Sequence, residues 1–133
     1  MNLVIISEGQ GLLTIGKDGV FYNHIECNEL PSNVHAIQWD GQSGEVEYKD
    51  ASTGDIVSNE LITDVSDFLF AVDAWQSAYD AEQAAIALAQ AAEALDQAKI
   101  DAYLSAYDQA IANGDSEEDA EAAGQAAADA VTS

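Results

Sequence analysis

From Asp64 to Ala112 the chain contains neither glycine nor proline. The two strongest helix breakers are thus missing from 49 consecutive positions, so this stretch is predicted to form one long helix. From Ala71 to Ala130, 23 of 60 residues are alanine, the best intrinsic helix former. Ala71, Ala74, Ala78, Ala81, Ala85, Leu88, Ala92 and Leu95 follow one another at intervals of 3, 4, 3, 4, 3, 4 and 3. That is an apolar heptad seam, and it asks for a helix packed closely against it, because alanine buries little area unless the backbones approach. The start of the stretch is richer. Phe68, Val72, Trp75 and Tyr79 make a second stripe, suited to closing a core. Asp64 or Ser66 is the expected N-cap, with Asp67 in the first turn to complement the helix dipole.

Helical propensity ends at Asn113-Gly114, where glycine can adopt the left-handed C-cap conformation. A second helix is expected over about 116–131. Asp115 or Ser116 would cap it, and Glu117, Glu118 and Asp119 crowd its first turn, where negative charge is favoured. So short a turn favours a helical hairpin, with Ile100, Leu104, Tyr107 and Ile111 as the apolar stripe for the second helix to cover.

The first half reads as strands. Leu3–Ile6, Leu12–Ile15 and Val20 to Ile25 are separated by the glycine-bearing turns Ser7–Gly11 and Gly16-Lys17-Asp18-Gly19. A loop from Asn28 to Asn33 carries the only proline, Pro31. Val34–Trp39 and Glu45–Lys49, joined through Asp40–Gly44, form the clearest hairpin, with Val46 and Tyr48 alternating with Glu45 and Glu47. Ile56-Val57 follows a polar turn as a brief edge strand. About five short strands make a marginal core by themselves. The helix stripe is therefore expected to lie across the sheet, with Trp75 packed near Trp39 or Tyr48. The expectation is an α+β chain: a small antiparallel β-meander over 1–63, then an alanine-rich helical extension over 64–133, with the long helix at about 64–112.

The 133 residues include 25 acids, 3 lysines and no arginine, a net charge of -22. Nucleic-acid and anionic-membrane partners are excluded on this ground, since both need Lys and Arg. The start has no basic region and too short an apolar run for a signal peptide, and no run reaches membrane-spanning length. The expectation is a protein made in a cytoplasm and kept soluble there or in an assembly. The lone Cys27 reads as a small half-buried hydrophobe, not a nucleophile. Asp40–Glu45 lacks the spacing of a calcium loop and reads as a hairpin turn. The acids from Asp115 to Glu121 sit where a helix start wants them, and His24 and His35 read as hydrogen-bonded sheet residues. Tyr79, Tyr103, Tyr107 and Trp75 read as packing groups, not a sugar platform. No catalytic, cofactor or metal residue is nominated.

One resemblance adds a functional lead. Pro31, then Val34-His35-Ala36-Ile37-Gln38-Trp39, then Gly44-Glu45-Val46-Glu47-Tyr48, then Ile62-Thr63 and Trp75, is similar to a pattern in small tail proteins of tailed bacteriophages. These are often encoded beside the tail-fibre gene and described as tail proteins or tail-fibre assembly chaperones. The turn and aromatic strand from Gly16 to Tyr22 fit the same pattern. The resemblance spans roughly residues 12 to 80, so the alanine-rich half lies mostly beyond it. It implies a non-enzymatic protein of the virion tail, made in the host cytoplasm, with a tail-fibre or baseplate protein as partner. Self-association through the seam is a second possibility for the partner. The alternatives are a chaperone that leaves before the particle is complete and, from another class, a small enzyme acting on glycan or peptide.

Overall fold

The structure, a computed structural model, describes residues 1–132. It is α+β, with six antiparallel strands followed by two helices. The chain divides into two compact units, Met1–Glu82 and Gln83 onward, with the division falling inside a helix.

The first unit holds β1 (Leu3–Gly9), β2 (Leu12–Lys17), β3 (Val20–Glu26), β4 (Val34–Trp39), β5 (Gly44–Lys49) and β6 (Ile56–Ile62). Their order in the sheet is β3-β2-β1-β4-β5-β6. This corrects the simple meander: two three-stranded meanders lie side by side, joined where β1 pairs with β4 through Leu3↔Trp39 and Ile5↔Ile37. The connection from β3 back to β4 is tied to the rest of the unit by backbone bonds, Cys27 N–H to Gly11 C=O at 2.8 Å and Lys49 N–H to Asn33 C=O at 2.7 Å. Placing β1 and β4 centrally buries the most apolar strands. Leu3, Ile5, Leu13, Ile15, Ile37 and Val46 are fully buried, each worth ~1.5–3 kcal/mol of transfer free energy. The sheet also has a sixth strand of full length. β6 runs 7 residues rather than the two expected, because β5 supplies a ladder from Gly44↔Ile62 to Lys49↔Ile56. Tyr48 Oη donates to the Glu60 carboxylate at 2.9 Å, and Asn59 Nδ2 donates to Glu45 at 2.6 Å, across the same pair.

Gly16 shows a packing device of the β2–β3 pair. Any Cβ there would meet the Phe21 ring on the paired strand. The ring thus lies over the glycine and covers backbone that no side chain of its own shields.

The helix begins later than expected. The Asp64 carboxylate accepts the Ser66 N–H at 2.8 Å, closing a local turn that competes with helix. A 3-10 turn, Ser66–Phe68, follows, and α1 runs Leu69–Ala112. Neither Asp64 nor Ser66 caps it in the usual way: the residue preceding the 3-10 turn is Val65, with no side-chain cap bond.

In the first unit the opening turns of α1 close the core. Ala71 and Trp75 are buried in it, and Phe68, Val72, Ala74 and Tyr79 pack against it. Tyr22 Oη donates to the Glu82 carboxylate. That bond, then burial, then the carboxylate's charge, push the Tyr22 phenol up from the usual 10 to about 12. An acid whose folded pKa is raised stabilises the fold below its unfolded pKa, and the stabilisation fades as pH climbs through the folded value. Stability should therefore fall in the window from pH 10 to about 12. Absorbance titration at about 295 nm, wild type minus Tyr22→Phe, should isolate one phenol ionising near the top of that window. If the difference instead follows ordinary tyrosine, the bond does not persist in solution.

In the second unit α1 ends in a double C-cap. Gly114, at φ 87°, donates to Ile111 C=O at 3.0 Å, and Asp115 N–H donates to Ala110 C=O at 3.1 Å. This is the pair of bonds of a Schellman motif. α2 runs Glu117–Ala130, with Ser116 as N-cap accepting the Asp119 N–H at 3.2 Å. α2 folds back on α1, burying Ala120 and Gly124 of α2 and Ala110 of α1.

Candidate interaction surfaces

The expected joint and the expected seam are distributed differently. Trp39 and Trp75 are buried in one core, with Tyr48, Phe68, Val72 and Tyr79 partly buried against it. Trp75 does not use Trp39 or Tyr48 as ring partners. Its indole stacks on Tyr79 at 5.2 Å, tilts against Tyr22 at 5.8 Å, and lies 4.7 Å under the Lys17 ammonium. Its Nε1–H donates to Val20 C=O at 2.8 Å. Tyr79 lies on α1 itself, but Lys17, Val20 and Tyr22 belong to β2 and β3, so the indole anchors the helix over that side of the sheet. Lys17 gains a cation–π contact there.

The alanine seam is not one free surface. Ala71 is consumed by the core, Ala74 packs against it, and Ala78 is half-buried. Ala81, Ala85, Leu88 and Ala92 are exposed, and Leu95 is half-buried. Leu88 is 73% exposed, the largest apolar side chain that the seam leaves open.

α2 is also expected to cover the stripe of Ile100, Leu104, Tyr107 and Ile111, and the structure differs at its aliphatic members: only Tyr107 is half-buried, with Glu117 and Glu121 of α2 near it. Ile100 and Leu104 are each 52% exposed and Ile111 44%. α2 instead sits over Tyr103, because Gly124 has no side chain and admits that ring: a Cβ on it would lie 2.8 Å from Tyr103 Cε2. Tyr103 in turn stacks on Tyr107, with centroids 6.1 Å apart. The stripe's spacing was legible from the chain. That Ile100, Leu104 and Ile111 stay open was not.

One face of the sheet receives α1, and the other carries Val4, Ile6, Phe21 and Leu61. Leu61 is 83% exposed. A shallow hollow of about 480 Å³ there is lined by Val4, Gln38, Trp39, Asp40, Glu45 and Leu61 among others. Asp40 is engaged in the turn, accepting the N–H groups of Gln42 and Ser43 at 2.9 Å each. Those bonds hold its carboxyl below the usual range. His24 Nδ1 lies 3.2 Å from Glu8, and His35 Nε2 lies 3.6 Å from Glu47. Among the described residues no cluster of three His, Cys, Asp or Glu is placed to hold a metal ion. Cys27 is free and half-buried, and among the described residues no helix is long and apolar enough to cross a membrane.

Compared with family models, with curated proteins and with solved structures, the chain gives no match.

Proposed function

We propose that this chain is a non-enzymatic component or accessory protein of a bacteriophage tail, binding the tail fibre or baseplate through its sheet unit and its alanine-rich helix. The tail assignment rests on the resemblance of residues 12–80. The binding role rests on one observation: large apolar side chains stand open to solvent in both units, Leu61 in the first and Leu88, Ile100 and Leu104 in the second. Apolar groups grouped on a surface are a mark of interaction sites. The resembling run contributes less to binding than to folding, since Val34, Ile37, Trp39 and Val46 all point into the core. Contact residues are therefore to be sought between the strands' inward positions and along the helices.

Mass spectrometry of purified phage particles tests the proposal. The expected result is this chain in a fixed ratio to fibre or baseplate chains. If it co-purifies with free fibre protein but is absent from particles, its role is that of an assembly chaperone. Absence from both would overturn the tail reading.

A further inference from the structure

We propose that the second unit seats one additional helix, a cationic amphipathic segment of a partner chain, in the groove beside α2. Ile100, Leu104 and Ile111 recur at intervals of four and seven, so they form one line along α1. α2 packs beside this line, not on it, and leaves a hollow of about 390 Å³. Ile100, Tyr103, Leu104 and Ala128 line it together with the polar groups of Lys99, Gln125 and Asp129. An open trough between two helices, lined in part by aliphatic side chains, is shaped for the face of a third helix.

Charge selects which helix. From Gln83 onward the sequence has ten acids and a single basic residue, Lys99. Acids flank the trough on both sides. Helical geometry places Asp101 and Asp108 along one flank of the stripe on α1. On the other side α2 brings Glu117 and Glu121 near Tyr107, whose phenol is pushed up first by burial and then by these carboxylates. Asp129 continues that rim, bridged to Gln125 at 2.8 Å. A second copy of this chain would set acid rows against acid rows, which like-charge repulsion opposes. A helix with leucines on one stripe and Lys or Arg beside it would bury its leucines on Ile100 and Leu104 and neutralise both rows. The proposal rests on the reading of this chain as a binding protein but not on a tail partner, so it and the particle assay can fail separately.

The test uses the full chain and a fluorescein-labelled peptide of about 18 residues. The peptide carries leucine at i, i+4, i+7 and i+11, lysine at the flanking positions and alanine elsewhere. Two controls accompany it: a scrambled isomer of the same charge without an apolar face, and a version with glutamate for lysine. Fluorescence anisotropy should show the first peptide binding at least tenfold more tightly than either control. The double substitution Ile100→Gln, Leu104→Gln lies on half-exposed positions and should keep the circular dichroism of the wild type, yet weaken the first peptide tenfold or more. Equal binding of the scrambled peptide would show bulk charge attraction only and overturn the proposal. So would undiminished binding to the double variant, or no binding at all. Sedimentation showing a wild-type dimer that the double variant dissolves would make a second copy the occupant, and would overturn it too.

Discussion

Trp75→Ala should cost the first unit about 3–5 kcal/mol, in the range of other large-to-small core truncations. The indole is 5% exposed. Its removal vacates the space between Tyr22, Tyr79 and Lys17 and breaks the bond to Val20 C=O. Tyr22 and Tyr79 cannot close that space without leaving β3 and α1, so the cavity term should persist. For a unit of this size the loss corresponds to a fall in unfolding midpoint of about 12 °C or more. Trp39, the other of the chain's two tryptophans, reports the transition by fluorescence from within the same core. Trp75→Phe keeps an aromatic ring and most of the bulk, and loses the smaller part of the fused ring system together with the N–H donor. The bond lost is a single neutral N–H to a backbone carbonyl, worth ~1 kcal/mol, so that variant should lose far less than the alanine one. An unchanged midpoint for the alanine variant would show that α1 does not depend on this contact to close the sheet.

Gly124→Leu should undock α2. Glycine in mid-helix normally costs ~1 kcal/mol relative to alanine, so propensity by itself predicts that any replacement stabilises. Packing predicts the opposite. A Cβ at position 124 would lie 2.8, 2.9 and 3.1 Å from three atoms of the Tyr103 ring, and Tyr103 is held by its stack on Tyr107. Contact that includes Cγ is with the base of the ring, not with a flexible tip, so the ring cannot swing clear cheaply. Overpacking of this kind costs ~1–3 kcal/mol. α2 has 14 residues, too few for a stable isolated helix in water, so separation should also melt it. Hydrogen exchange should show the amides from Ala120 to Ala128 losing protection while those of β1 and β4 keep theirs. Protected α2 amides in the leucine variant would mean that Gly124 is not the seat of the hairpin.

The features that were legible in the chain are those decided within a few residues. The Gly114 C-cap, the Ser116 N-cap and the acidic first turn of α2 depend on local backbone geometry and on donors three to five residues away. The β4–β5 hairpin was legible because its turn and its alternation are contiguous. β6 was legible only in its first two residues. Ser58-Asn59-Glu60 looks like loop until Tyr48 and Glu45 on β5 are there to bond it. The start of α1 was misplaced because Asp64 has two local uses, a helix cap and a turn onto Ser66, and composition does not rank them.

The chain determined by itself a long helix, from alanine content and the absence of breakers, a short one, from its caps, and a small antiparallel sheet, from its glycine turns and alternation, whose marginal core the helix must complete. Three things waited for the tertiary structure. The pairing of β1 with β4 joins strands about thirty residues apart, and apolar pattern alone does not say which apolar strands become neighbours. Trp75 lies over β2 and β3 because one N–H finds Val20 C=O and one ring face finds Lys17, both set by the twist and order of the assembled sheet. Which stripe of α1 receives α2 was decided by the fit of Gly124 to Tyr103, not by hydrophobicity, which favoured Ile100 and Leu104. Close packing rewards shape, and shape exists only when both surfaces are present.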